Sequence, residues 1–231
     1  MKAIIPAFQR PVCWPNLPGA VLVALTLVVP ASVPAQTAPD AAVATTPTRE
    51  ARVDGFRSAR FGMTEDEVRA AAVADFAIDP DALMDGINTV ERTRVLTALV
   101  PDVLPEGGTA QLSYIFGYRS KTLIQVGLLW NAGTDPDLTP DTIAANGDVL
   151  QAHFLNAGHA AETVSVDTIL DGGILLYSGA DAEGRTVILL LQGRFADDVP
   201  GRLPLTATSL TLLYAEDPEN PDIFRIGDGE F

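Results

Sequence analysis

Gln111-Leu112-Ser113-Tyr114-Ile115-Phe116, then Gly117-Tyr118-Arg119-Ser120, then Thr122 through Trp130, is the stretch whose pattern decides the fold. Successive side chains of a strand point to opposite faces, so Leu112, Tyr114 and Phe116 share one face, with Gln111 and Ser113 on the other. After the turn at Gly117–Ser120, Ile124, Val126, Leu128 and Trp130 again fall on a single face. Two alternating runs around a short glycine-containing loop predict an antiparallel hairpin with one apolar face. Such a face needs a cover, and the nearest element able to supply one lies upstream.

That element is a helix with a well-formed start. Thr64 is a good N-cap, Glu67 three residues on completes a capping box, and Glu65 and Asp66 suit the positive end of the helix dipole. Met63 and Val68 are spaced as a hydrophobic staple. The helix is predicted from Glu65 to about Asp75, with Val68, Ala71 and Ala72 facing inward. Before it, Phe56–Phe61 predicts a short strand; after Asp79-Pro80-Asp81, Thr93–Val100 is β-branched and apolar and predicts another, ended by Pro101.

The second half repeats that order. Thr139 caps a helix with Pro140 at its first position, and Ile143, Leu150, Phe154 and Ala157 recur at helical spacing. Strands are predicted at Thr163–Ile169, Ile174–Ser178, Thr186–Gln192 and Thr206–Tyr214, with a hairpin turn at Ala180–Gly184. Val187-Ile188-Leu189-Leu190-Leu191 is apolar at every position, which predicts a central strand covered on both faces. The fold class is therefore α+β, as two successive helix-then-antiparallel-sheet halves (α-βββ over 55–133, α-ββββ over 134–231) with the helices packed on sheet faces. Whether the strands make one sheet or two is left open by the pattern.

Phe61-Gly62-Met63-Thr64-x-x-Glu67-Val68 resembles the opening of several small bacterial envelope proteins: the BamE/SmpA-like outer-membrane assembly lipoproteins and α+β proteins of the β-lactamase-inhibitor-like fold. Tandem helix-then-sheet halves are a further likeness to the latter. The longer pattern from Tyr114-x-x-Gly117-Tyr118 to Trp130 is similar to exported proteins of high-GC proteobacteria. The resemblance implies an α+β envelope protein and no particular active-site residues. The lipoprotein cysteine is absent, and so is the Gly-x-Pro that usually follows the first helix of the assembly family.

Export is predicted independently by the N-terminus. Lys2 and Arg10 precede an apolar run, Gly19–Val29, and Pro30-Ala31-Ser32-Val33-Pro34-Ala35 offers small or compact residues ahead of a cut between Ala35 and Gln36. The run is short of the ~20 residues that span a bilayer, so residues 1–35 are predicted to be a cleaved signal peptide rather than an anchor. Residues 36–54, rich in Ala, Thr and Pro, predict a flexible leader, and 55–231 the folded body. Cys13 is the single cysteine and precedes the apolar core, so the mature chain would have no thiol, disulfide or thiolate metal site.

All 30 acids follow Ala35 but only 13 of the 15 bases do, giving the mature chain a net charge of −17. That balance excludes nucleic acid as the main partner, since a phosphate backbone is repelled. His153 and His159, the only histidines, lie six residues apart and would sit off a common helical face, which predicts no metal site. Asp135-Pro136-Asp137-Leu138-Thr139-Pro140-Asp141 lacks the glycine and glutamate of a calcium loop. No serine sits in a nucleophile elbow, and no glycine-rich phosphate loop occurs. No catalytic residue and no cofactor are predicted. The C-terminal Phe231 does not signal an outer-membrane barrel, because the strands are too few and the last alternation is wrong.

One cluster is a candidate contact site for an acidic or peptide partner: Tyr118, Arg119 and Lys121 at the hairpin tip, holding the mature chain's only lysine. The sequence thus predicts a soluble periplasmic α+β protein, after signal removal without a membrane span, that binds another envelope protein or peptide or supports the envelope. The alternative is a hydrolase with a carboxylate-based site. An exposed sheet edge or shallow apolar groove would favour the first, and a deep pocket with two or more converging acids the second.

Overall fold

The computed structural model describes residues 51–196 and 205–225, so the predicted signal peptide and its cut, and most of the leader, lie outside the described residues. Ala51 and Val53 are already buried, placing the start of the folded body ahead of the expected Gly55. Where one short strand was expected there is a small hairpin, β1 (Gly55–Phe56) and β2 (Ala59–Arg60). Helix α1 (Glu65–Phe76) follows, then β3 (Met84–Asn88), β4 (Thr93–Val100), β5 (Ala110–Phe116) and β6 (Leu123–Asn131). The second half runs α2 (Pro140–Leu155), β7 (Ser165–Leu170), β8 (Gly173–Ala180), β9 (Thr186–Phe195) and β10 (Leu205–Ala215).

The predicted helix starts are present. Glu67 closes on its cap through its carboxylate, which accepts the Thr64 N–H and hydroxyl, both at 2.8 Å. At α2 the Thr139 hydroxyl accepts the Thr142 N–H at 3.1 Å, with Pro140 where a missing N–H costs nothing. The class is α+β, but the first half has four sheet strands rather than three. The missed strand is β3, whose residues are exposed apart from the partly buried Asn88, with no apolar alternation to announce it. It is an edge strand paired only to β4, and Asp85 fixes it to the body through Arg69 of α1 and Arg94 of β4 at 2.7 and 2.8 Å.

Eight strands form one antiparallel sheet in the order β3-β4-β5-β6-β10-β9-β8-β7. Each half is a four-stranded meander, and the halves join through the last strand of each. β6 and β10 pair over seven positions, from Asn131 opposite Ser209 to Gln125 opposite Ala215. Both helices lie on the same face. Val68, Ala72, Ile143, Leu150 and Phe154 share one buried cluster with Leu96, Tyr114, Leu112, Leu128, Leu212 and Leu189. Those sheet residues stand opposite one another from strand to strand, which puts them on a common face.

Candidate functional site

The opposite face has no helix over it among the described residues, and its composition is distinctive. Read across six strands, Leu99, Gln111, Leu129, Thr211, Leu190 and Leu175 are successive cross-strand partners. The neighbouring row is Thr97, Ser113, Gly127, Leu213, Ile188 and Ser178, and the next contains Val95, Ile115 and Gln125. No charged residue occurs in these rows, although charged residues make up 19% of the chain. The first charge on this face is Arg194, opposite Thr206 near the end of β9. Most of these side chains are half-buried against each other and Leu99 is 49% exposed.

This corrects the expectation for Val187–Leu191. Val187, Leu189 and Leu191 are buried under the helices, whereas Ile188 and Leu190 belong to the open face and are partly exposed. A continuous apolar run fixes that both faces of a strand are apolar. It does not say whether the protein itself covers both.

The hairpin tip is engaged by the chain's own C-terminal segment. The Asp222 carbonyl accepts the Tyr118 N–H at 2.7 Å, and its carboxylate accepts the Arg119 and Ser120 N–H groups at 3.1 and 2.8 Å. Desolvation would raise the Asp222 carboxyl, but these bonds overcome it and hold the group below its ordinary range. Tyr118 packs edge-on against Phe224 at 5.5 Å, and Lys121 donates to the Tyr118 carbonyl. The three predicted residues are thus together, with Arg119 and Lys121 exposed at the rim.

A cleft of about 660 Å³ lies between β1 and the end of α2, lined by Arg52, Phe56, Arg57, His153, Phe154, His159 and Tyr214 among others. It brings together the two histidines that helical spacing set apart, because α2 stops at Leu155 and the chain turns back at Gly158, with φ +85°. The Tyr177 hydroxyl pairs with Nδ1 of His159 at 2.9 Å. Gly179 makes room for that pair, since a Cβ there would lie 2.8 Å from the hydroxyl and 3.0 Å from the imidazole. Desolvation holds the His159 pKa below its ordinary value, with Asp181 partly opposing. No carboxylate lines the cleft. Among the described residues no group of three or more His, Cys, Asp or Glu is placed to hold a metal.

Several carboxylates serve as backbone clamps. Asp181 accepts the N–H groups of Val53, Glu183 and Arg185. Asp75 holds the N–H and hydroxyl of Ser58. Asp135, within the calcium-like stretch, accepts from Thr109 and Asp137 and is held below the ordinary carboxylate range by those bonds. Glu65 and Asp85 do converge, but on Arg69 and Arg94, as an ion-pair network. No described helix is long and apolar enough to cross a membrane. Comparison of the chain with protein-family models, curated proteins and solved structures gives no match in any of the three.

Proposed function

We propose that this is an exported, periplasmic binding protein whose docking surface is the uncharged open face of its eight-stranded sheet. The single observation that carries the reading is the absence of charge across that face, in a chain of net charge −15. Exposed sheet faces are ordinarily kept polar, whereas apolar area left open over several strands marks interaction sites. The Tyr118–Lys121 tip borders one end of this face and supplies exposed Arg119 and Lys121 to an acidic part of the same partner. A hydrolase is less well supported, because the described cleft gathers no carboxylates and Glu65 and Asp85 are neutralised by arginines.

A photo-crosslinking side chain placed at Leu213, in the middle of the open face, tests the reading in the intact exported protein. It is expected to trap one discrete partner, while the same group at Ala145, exposed on α2, traps none. Equal trapping at both positions would remove the open face as the site. The export half of the proposal is checked separately by N-terminal sequencing of the protein recovered from the envelope, which should begin at Gln36.

A further inference from the structure

We infer that the hairpin tip is a peptide-binding site, occupied in this structure by the chain's own Asp222-Ile223-Phe224, and that it takes a partner segment with the same acid-spacer-aromatic order. The inference rests on the partner proposed above for the open face and names the acidic part of it that reaches the tip.

The loop from Gly117 to Thr122 closes its own backbone at both ends. The Gly117 N–H donates to the Thr122 carbonyl at 2.9 Å, and the Lys121 N–H to the Gly117 carbonyl at 3.2 Å. That leaves the successive N–H groups of Tyr118, Arg119 and Ser120 for an acceptor outside the loop, an arrangement that favours anionic oxygen. Asp222 supplies its carbonyl to the first and its carboxylate to the other two. Two residues on, the Phe224 N–H donates to the Glu91 carbonyl at 2.8 Å. The Phe224 ring meets Tyr118 at 5.5 Å and the Arg92 guanidinium at 3.7 Å. A Cβ on Gly117 would collide with the Asp222 carboxylate, so the acid sits where only glycine leaves room. Main-chain pairing at two points, a carboxylate seat and an aromatic seat are the means by which a protein reads a short peptide.

The occupant can be exchanged because it is held at few points. Residues 217–220 are exposed, and Pro221 to Phe224 are only half-buried. When this strap lifts, Asp217, Glu219 and Asp222 leave with it against one base, Arg225. Arg92, Arg119 and Lys121 then remain exposed around the seat, with Glu91 engaged by the Asn88 amide at 2.8 Å. In a chain of net charge −15 that is a local surplus of bases, suited to an acid from outside. The short connection keeps the strap at an effective concentration on the order of millimolar. A free peptide meets that competition in full. A partner already lying on the open face presents its own segment at a similar local concentration, and exchanges on nearly equal terms.

The test uses the full exported chain carrying Asp222→Ala and Phe224→Ala, which unseats the strap, with native circular dichroism as the check on folding. The probe is a labelled synthetic peptide, Asn-Pro-Asp-Ile-Phe-Arg, copied from residues 220–225 and followed by fluorescence anisotropy. It is expected to bind this variant at least about tenfold more tightly than it binds the unaltered chain. Exchanging the peptide's Asp for Asn, or its Phe for Ala, should each weaken binding about tenfold. Adding Gly117→Ala should abolish binding by filling the carboxylate seat, and the milder Arg92→Gln should weaken it about threefold. Adding Leu213→Asp should leave it unchanged, since the seat lies off the floor of the sheet. Unseating the strap should also raise severalfold the yield of partner trapped from a crosslinker at Leu213. A folded variant that binds no peptide, or binds the Asp and Asn peptides alike, would overturn the inference, while trapping from Leu213 would keep the open-face reading. Peptide binding lost in Leu213→Asp, or a trapped partner whose yield does not rise when the strap is unseated, would overturn it as well. Peptide binding as expected with no partner trapped from Leu213 would sink the open-face reading and leave the peptide site standing.

Discussion

At Asp181 a carboxylate only 7% exposed is shared by three backbone N–H groups, from Val53, Glu183 and Arg185 at 2.9, 3.0 and 2.9 Å. It ties the start of the folded chain to the β8–β9 turn, and none of this is visible as a motif because the partners are far apart in sequence. Asp181→Ala leaves three donors without their acceptor; the Val53 N–H is the buried one, and a buried unpaired group costs about 1–3 kcal/mol. A loss of about 1–3 kcal/mol is expected in urea unfolding, with Asp181→Asn intermediate. The reverse case is Tyr114, fully buried with a hydroxyl that has no partner. Its burial also pushes the phenol pKa upward, with Asp75 adding to the effect and Arg57 opposing it. Tyr114→Phe removes an unsatisfied polar atom while keeping the ring, so stability should rise by about 1 kcal/mol, read as a higher denaturation midpoint at unchanged slope.

Local chemistry made the helices legible, and alternation made most strands so. Thr64 announced α1 because cap, first-turn acids and inward spacing agreed, Thr139 announced α2 through cap, Pro140 and inward spacing, and the run from Gln111 to Trp130 marked β5 and β6 directly. What stayed hidden depended on distant partners. β3 is held by pairing to β4 and by the bonds from Asp85 to Arg69 and Arg94, neither of which leaves a pattern in Met84–Asn88. The open face was half legible, since Ile188 and Leu190 were plainly apolar, but exposure depends on which side the helices choose. The ends of these elements also set an acid response. Glu67 is held below its ordinary range by the N–H and hydroxyl of Thr64, Asp85 by Arg94 and Arg69, and Asp135 by Thr109 and Asp137. Each therefore favours the folded state above its unfolded pKa, and that contribution is lost as pH falls through the depressed folded value. His159, also depressed, acts in the same sense, starting below its unfolded pKa of about 6.5. Glu216, raised chiefly by burial, works in the opposite sense. The melting temperature is thus expected to slip below about pH 6.5 and to fall more steeply below about pH 4.5. Glu67→Gln should soften the lower phase and lower the melting temperature slightly at neutral pH.

Across the whole molecule, the β6–β10 seam makes one sheet of two similar halves. Each half alone would present a long unpaired edge at its best-packed strand, where Val126, Leu128 and Trp130 meet Leu210 and Leu212. A chain cut between Gly133 and Thr134 should accordingly give pieces that fail to stay monomeric apart and recombine when co-expressed. Size-exclusion chromatography checks this, and stable, monomeric single halves would contradict it. Amide exchange should be slowest in β6 and β10 and fastest in the edge strands β3 and β7, since the seam opens only with the whole sheet.

The seam also governs timing. A polypeptide delivered N-terminus first presents β3 to β6 long before β10 exists, so the middle of the finished sheet is the last piece to arrive. Until then the exposed margin of β6 is a template with no legitimate occupant, and pairings across it span about eighty residues of chain. Closure at such distance is slow, and slow closure prolongs exposure. Maturation after delivery would therefore be governed by how well that waiting strand is shielded.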